Sequence, residues 1–212
     1  MEALDIGVYG KLPAHADFVT HHIDADTSNK LYEWLQSMLY LSREQMGESD
    51  WLSAYLIAPP WYFLLTDEVQ QRPPLLGAML PSVDKVGRYF PLILTATVEQ
   101  SAITGDWLFK EGSKILATLD RCGVMALQQR WRIDELTAYI GEELSMGEAQ
   151  ETAPVPEPGP FYEIDLLNMM EDELSSQNIG SIWWNASGSN SLCSLKGMPT
   201  VNEYMFMLTG AS

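Results

Sequence analysis

The stretch LPSVDKVGRYFPL, residues 80–92, says most about the fold of this chain. Apolar runs flank it over residues 75–80 and 89–98. The polar and conformationally special residues between them are Pro81, Ser82, Asp84, Lys85, Gly87 and Arg88. This pattern predicts two strands joined by a loop that presents charged groups, an arrangement in which a rigid scaffold commonly carries functional residues.

The segments around this stretch predict further strands and several helices. Apolar runs predict strands over residues 5–9, 61–66, 75–80, 90–98 and 181–185. Apolar residues at helical spacing predict a helix from residue 31 to Gly47 with Ser28 as its N-cap, and a second helix capped by Asp50. Further stripes of apolar residues at helical spacing predict helices over 107–119, 133–144, 162–174 and 200–208. The alternation of strands and helices indicates an α/β protein with a layered sheet.

Composition limits the classes of function. At 212 residues with 46% apolar content, the chain can bury a substantial core. Its formal charge of -17 disfavours binding to nucleic acid or to anionic membrane surfaces. The N-terminus lacks the features of a signal peptide, and no apolar run approaches the roughly 20 residues of a membrane span. We therefore expect a cytoplasmic protein with no membrane insertion.

Charged residues are unevenly spread along the chain. No Lys or Arg occurs between Arg132 and Lys196, whereas Asp and Glu recur throughout that span. One interpretation is a solvated acidic face, and the other is an acidic docking surface for a basic partner. Within the span, residues 148–160 are rich in Pro and Glu, and we expect them to form a flexible loop.

The two cysteines, Cys122 and Cys193, are too few for a disulfide framework and match no zinc motif. Free cysteine is among the most frequently buried residue types. We therefore expect both thiols to be reduced and buried.

The first candidate for ligand chemistry is a phosphate-binding loop at Gly7, Gly10 and Lys11, after the first strand. A glycine is required four residues before the Gly-Lys pair, and a Ser or Thr directly after it. Asp5 and Leu12 stand at those two positions. The spacing therefore does not support nucleotide binding.

A metal site is the second candidate, because His15, Asp17, His21 and His22 lie close together in the sequence. The adjacent pair His21 and His22 would face opposite sides of a strand, and no metal-ligand spacing is present. The sequence predicts no metal site and no cofactor.

Catalysis by a nucleophile would need Ser82, Cys122 or Cys193 beside a base, and none of them lies in a nucleophile motif. Asp84 and Arg88 are four residues apart, and we expect them to pair with each other or with backbone groups and so to order the loop. The sequence therefore predicts no catalytic residues, and an enzyme is the weaker class.

Trp183 and Trp184 are adjacent in a predicted strand, so their side chains must point to opposite faces of the sheet. One of them could then be exposed and anchor a partner protein, or it could pack against a second layer of the fold.

Several motifs together resemble the type VI secretion-associated family called TagF or ImpM. The motifs are GKLP at 10–13, DFV at 17–19, WL at 34–35, YL at 55–56, AP at 58–59, PSVD at 81–84, VGRYFPL at 86–92, SIWW at 181–184 and GMP at 197–199, with Trp51, Trp61 and Phe63 between them. Ala16 departs from the pattern, since the family usually has Gly before the Asp-Phe pair. If that position needs a positive φ, Ala16 strains the turn.

The resemblance implies an accessory regulator of type VI secretion that represses assembly after translation by binding a cytoplasmic forkhead-associated scaffold protein. It also implies a three-layer α/β/α sandwich, which we expect to be built around a mixed sheet in a single domain over residues 1–212. We expect partner contacts or motif roles for Gly10, Lys11, Asp17, Phe18, Pro81, Ser82, Asp84, Gly87, Arg88, Trp183 and Trp184.

Two alternatives stay open. The first is a metal-dependent hydrolase or phosphatase-like enzyme that uses the Asp84 loop together with His15 and Asp17. The second is a structural component of the secretion assembly.

Overall fold

The computed structural model describes residues 4–66, 73–147, 179–185 and 192–209. The loop predicted over 148–160 and the helix predicted over 162–174 lie outside the described residues.

Seven described strands form one open sheet. They are β1 Ile6–Gly10, β2 Val19–His21, β3 Trp61–Leu65, β4 Leu75–Leu80, β5 Leu92–Thr97, β6 Ser181–Asn185 and β7 Leu192–Leu195. Their order in the sheet is β2-β1-β5-β4-β3-β6-β7. The predicted strands at 75–80 and 181–185 have the observed bounds, whereas β2 and β7 are additional edge strands that the sequence pattern did not indicate.

Every pair of neighbouring strands in this sheet is antiparallel, so the prediction of a mixed sheet was wrong. The strands β3, β4 and β5 follow one another along the chain and are neighbours in the sheet. Their connections, over 66–74 and 81–91, are shorter than the crossover of about a dozen or more residues that parallel neighbours require. Strands joined by connections this short pair in the antiparallel direction.

The described helices are α1 Ala25–Met46, α2 Glu48–Ile57, α3 Ser113–Gln129, α4 Ile133–Gly147 and α5 Val201–Thr209. A 3-10 turn at Gln100–Ala102, a helical turn at Gly105–Trp107 and a π-helix at Leu108–Gly112 precede α3. These helices correspond to the predicted helices that fall within the described residues, although their ends differ.

The N-caps predicted for the first two helices were wrong. The Asp24 carboxylate accepts hydrogen bonds from the backbone N–H groups of Asp26 and Thr27, at 3.0 Å each, so Asp24 caps α1 and Ser28 lies within the helix. The first turn of α1 carries few apolar residues, and the periodic pattern therefore begins later than the helix itself. Asp50 lies in the first turn of α2, which begins directly after Gly47.

Side chains of the sheet divide between two hydrophobic clusters. One contains Val8, Leu94 and Trp184 together with residues of α3 and α4, and the other contains Phe63, Ile93 and Trp183 together with residues of α1, α2 and α5. Adjacent strand residues fall into different clusters because side chains alternate along a strand.

Trp183 and Trp184 point into different clusters, as predicted, but both are buried, at 0% and 7% exposure. Of the two alternatives, exposure was wrong, and packing of each side chain against other elements of the fold agrees with the structure. Helices contribute to both clusters, so each tryptophan is covered. In this fold, neither tryptophan lies on the surface where it could anchor a partner.

Cys122 is buried in the first cluster and forms no disulfide, which confirms the prediction for this residue. Burial raises the pKa of its thiol to about 11, so the reactive thiolate is scarce at neutral pH. The side chain of Cys193 lies outside the described part. Within the described residues, no helix combines the length and apolar content needed to cross a membrane.

Candidate functional site

Two loops leave the sheet at the same end. The first loop covers residues 11–18, after β1, and the second loop covers residues 81–91, between β4 and β5. Gly10 at the end of β1 and Leu80 at the end of β4 are both paired with Leu92. This register places the two loops side by side, although about 70 residues of chain separate them.

Asp84 is the centre of the contacts that join the two loops. Its carboxylate accepts hydrogen bonds from the Lys11 ammonium at 2.7 Å, from Arg88 Nε at 2.7 Å, and from the backbone N–H groups of Val86 at 3.0 Å and Arg88 at 2.9 Å. The Asp84 side chain is fully buried. It therefore organises the second loop from within and ties it to the first.

These contacts decide the protonation of Asp84. Burial by itself would raise the pKa of the carboxyl group, but the hydrogen bonds from Lys11, Arg88 and Val86 outweigh burial and hold the pKa well below its usual range. Asp84 is therefore an anion at neutral pH and a poor proton donor. Its chemistry fits the anchoring of a loop and not general acid catalysis.

Lys11 is also buried, with 4% of its surface exposed. Its ammonium pairs with Asp84 and lies 5.0 Å from the centre of the Phe18 ring, a distance that permits a cation–π contact. A buried ammonium needs both a counter-charge and hydrogen-bond acceptors. Lys11 is thus held within the site and is not presented to solvent.

Ser82 joins the same two loops through neutral hydrogen bonds. Its hydroxyl donates to the Lys11 carbonyl at 2.7 Å, and its carbonyl accepts from the Tyr55 hydroxyl at 2.9 Å. The Tyr55 oxygen in turn accepts from the Ser82 N–H at 3.1 Å. Because the buried hydroxyl of Ser82 donates to a backbone carbonyl, Ser82 has a structural role and no nucleophilic one.

The turn at Ala16 is not strained. Among the described residues other than glycine, only His22 and Arg130 have positive φ, so the condition under which Ala16 would strain the turn is not met. The Ala16 carbonyl accepts a hydrogen bond from the Arg88 guanidinium, and the His15 carbonyl accepts one from the Lys85 N–H at 2.8 Å. Backbone contacts of the first loop thus hold the exposed part of the second.

Phe18 closes the site on the side of α1. Its ring lies 4.7 Å from that of Phe90 and 5.6 Å from that of Tyr32, both nearly perpendicular to it, and it stacks on Tyr9 at 5.8 Å. Asp17, which precedes Phe18, is exposed, and its carboxylate accepts from the Phe18 N–H at 2.9 Å. Phe18 therefore packs inward while Asp17 faces solvent.

The exposed part of the second loop is its tip, residues 85–88. Val86 is 64% exposed, and 57% of the Arg88 side chain is exposed. Gly87 turns the chain there with φ of 88°. The tip thus presents an apolar side chain between two cationic residues on a firmly held backbone. Pro81, which begins the loop, is half-buried.

The histidines do not assemble into a metal site within the described residues, where no group of three or more His, Cys, Asp or Glu side chains is placed to hold an ion. His15 Nε2 accepts a hydrogen bond from the Ile133 N–H at 3.1 Å. The rings of His21 and His22 stack at 4.0 Å, so the expectation that they face opposite sides was wrong. The reason is the positive φ of His22, 46°, which turns the chain at the end of β2.

The structure brings together nine of the eleven predicted residues, in the two loops and at their bases. The nine are Gly10, Lys11, Asp17, Phe18, Pro81, Ser82, Asp84, Gly87 and Arg88. Trp183 and Trp184 lie in β6 within the core instead. Sequence reasoning missed the positioning roles of His15, Tyr55 and Tyr32, because local spacing does not show which distant segments meet at the loops.

We expect Asp84 to make the free energy of unfolding depend on pH. A carboxyl group whose pKa is lower in the folded than in the unfolded state adds stability above the unfolded value of about 4, and that contribution disappears as the pH falls through the folded value. Urea unfolding between pH 7 and pH 2 should therefore show the stability advantage of wild type over Asp84→Asn shrinking as the pH falls. A constant difference across this range would contradict the assignment.

The chain is similar to a known protein family and to a solved structure. A family model described as the TagF N-terminal domain, type VI secretion system-associated, matches residues 7–142, a span that includes both loops. The crystal structure of PA0076 from Pseudomonas aeruginosa PAO1 is similar, with a TM-score of 0.69 over 98% of this chain and 95% of that chain. Sequence identity is 22%, so this similarity concerns the fold. No curated protein matches the chain.

Proposed function

Because the chain belongs to the family of TagF N-terminal domains, which are associated with type VI secretion, we propose that it is a non-enzymatic regulator of that system that acts through a protein partner. The partner we propose is a cytoplasmic scaffold protein with a forkhead-associated domain. Binding would hold the scaffold away from productive assembly and so repress secretion after translation.

The observation that carries this proposal is the tip of the second loop, residues 85–88. Its exposed side chains are mounted on backbone that the buried Asp84 carboxylate and the first loop hold in place. A loop that is already ordered loses little conformational entropy when it binds, so more of the contact energy appears as affinity. Such pre-organisation is of use to a protein that must recognise another surface.

The wider architecture supports a compact binding module. We propose that residues 1–212 fold as one domain with a three-layer α/β/α arrangement. Two observations support it: the two hydrophobic clusters divide the strand side chains between them, and helices contribute to both. The net charge of -17 argues against nucleic acid as the partner and is compatible with work in the cytoplasm.

The proposal is tested in the host that carries this chain, by measuring type VI secretion with and without it. A repressor predicts that deletion increases secretion and that overproduction lowers it. Abolished secretion on deletion would instead support a structural component of the apparatus. Titration of the purified protein with the purified forkhead-associated scaffold of the same host should show direct binding, and absence of binding would overturn the proposed partner.

A hydrolase that uses the Asp84 loop is the other candidate, and no observation favours it. Elemental analysis of purified protein distinguishes the two, since a metal-dependent enzyme should carry stoichiometric metal. Stoichiometric zinc, iron or manganese would contradict the non-enzymatic proposal.

The variant Arg88→Ala should weaken scaffold binding by about tenfold or more, since arginine is frequent among residues that dominate interfaces. Unfolding should stay cooperative, with a loss of less than about 2 kcal/mol, because the Arg88 side chain is largely exposed and the Lys11 ammonium still pairs with the buried Asp84 carboxylate. Arg121→Ala is the matched control, since Arg121 also forms an ion pair but lies outside both loops. Equal affinity of the two variants, measured by calorimetry, would place the binding surface elsewhere.

A further inference from the structure

Cationic side chains without an ion pair are few in the described part of the chain. Six of its Lys and Arg residues form ion pairs with Asp or Glu. The cationic residues in the described ranges that form none are Lys85, Arg130, Arg132 and Lys196. All four are exposed, so their charges are available to a binding partner.

Three of these four residues lie in segments that are linked to His15. The Lys85 N–H donates to the His15 carbonyl at 2.8 Å, and the Ile133 N–H donates to the His15 ring at 3.1 Å. Arg130 and Arg132 belong to the turn between α3 and α4 that leads directly into Ile133. The first loop thus contacts both the second loop and the first residue of α4, which this turn precedes.

The positive φ of Arg130, 55°, gives this turn a defined shape. Arg130 is the C-cap of α3, and its N–H donates to the Ala126 carbonyl. On the other side of the turn, the Glu135 carboxylate accepts from the Arg132 N–H at 2.7 Å. The backbone that carries both arginines is therefore ordered at each end, like the tip of the second loop.

The local charge differs in sign from that of the protein. We define the basic edge as the two loops together with the turn between α3 and α4 and the first turn of α4. Its cationic side chains are Lys11, Lys85, Arg88, Arg130 and Arg132, and its anionic side chains are Asp17, Asp84, Asp134 and Glu135. Five positive and four negative charges leave a net charge of +1, whereas the whole chain carries -17.

From this placement we propose that the basic edge docks an acidic, carboxylate-rich segment of the partner protein. This inference rests on the proposed function and adds the chemistry of the surface that the partner presents. The chain as a whole carries a charge of -17, so charge complementarity favours the basic edge over the rest of the chain as the place where such a segment docks. Val86, which is 64% exposed beside Lys85, adds an apolar contact within the basic edge.

The test compares two triple variants with equal change of charge. The first, Lys85→Gln with Arg130→Gln and Arg132→Gln, removes the unpaired cations of the basic edge and leaves the Lys11, Asp84 and Arg88 contacts intact. The second, Lys110→Gln with Lys114→Gln and Lys196→Gln, removes three cations elsewhere. Circular dichroism and thermal unfolding establish that both variants are folded.

For the first variant we expect the affinity for the purified host scaffold to fall by about tenfold, with a weaker dependence of affinity on salt. The second variant should bind as wild type does. If the first variant keeps both the wild-type affinity and the wild-type salt dependence, the inference is overturned while the proposed function stands.

A second measurement does not depend on the scaffold. A short poly-glutamate peptide titrated into isotope-labelled protein should shift the backbone amide signals of residues 85–88 and 130–133, and should do so much less in the first triple variant. Absence of these shifts would overturn the inference. If wild type fails to bind the scaffold but the peptide shifts these signals, the proposed partner is wrong and the acidic-ligand site stands.

Discussion

Replacing Asp84 by alanine should destabilise the protein by about 3–5 kcal/mol, since it would leave the buried Lys11 ammonium without its counter-charge. The substitution also removes the acceptor for the Arg88 side chain and for two backbone N–H groups. The loss should appear as a lower midpoint of urea unfolding monitored by tryptophan fluorescence. A loss below about 1 kcal/mol would mean that the Asp84 contacts contribute little.

Two controls separate the buried charge from a general effect of removing a carboxylate. Asp17→Ala removes a carboxylate from the same pair of loops, but Asp17 is exposed, so its loss should stay within about 0.5 kcal/mol. The double variant Lys11→Met with Asp84→Asn removes both charges. It should be more stable than the sum of the two single changes predicts, because no unpaired ion stays buried.

Replacing Gly10 by alanine should also be severe, with an expected loss of about 3 kcal/mol or more. Gly10 has φ of 123°, which a residue with a side chain rarely adopts, and a Cβ atom there would lie 2.1 Å from the Pro91 carbonyl oxygen. That oxygen belongs to the backbone beside β5 and cannot rotate away. The clash would force β1 and β5 apart at the point where the first loop begins and the second loop ends.

Gly87→Ala is the matched control for Gly10→Ala. Gly87 also has a positive φ, 88°, but no atom lies within 4 Å of the position that its Cβ would take. The expected loss is therefore backbone strain alone, of about 1–2 kcal/mol. Equal losses in urea unfolding for the two variants would show that the close approach at Pro91 does not matter.

Gly10 and Asp84 belong to one structural unit, the pair of loops at this end of the sheet. Gly10 allows the first loop to leave the sheet against the second loop, and Asp84 then joins the loops through Lys11 and Arg88. If the proposed function holds, variants of this unit should lose partner binding together with stability, whereas the triple variant of the basic edge should lose binding alone.

Some features of this protein could be predicted from the sequence because they depend on nearby residues. The strands at 75–80 and 181–185 follow from short apolar runs bounded by turn residues. Likewise, the pairing of Asp84 with Arg88 follows from their spacing in a loop that begins at Pro81. The motifs that resemble the TagF family lie partly in the same stretch, and the match over 7–142 confirms the family.

Several local predictions nevertheless failed for identifiable reasons. The cap of α1 is Asp24 and not Ser28, since a polar first turn hides the start of the helix from the apolar pattern. Trp184 is buried because residues of α3 and α4 pack in the same cluster, and no property of the sequence around residue 184 indicates that cover.

Local sequence therefore determined most of the described helices and strands, the loop at residues 81–91 and the family. Only the tertiary structure decided that the sheet is wholly antiparallel, that Lys11 reaches Asp84 across 73 residues of chain, and that His15 contacts both the second loop and α4. Periodicity, capping and turn signals act over a few residues. Contacts between distant segments depend instead on which strands become neighbours, and strand order is settled by how the whole chain buries its apolar side chains.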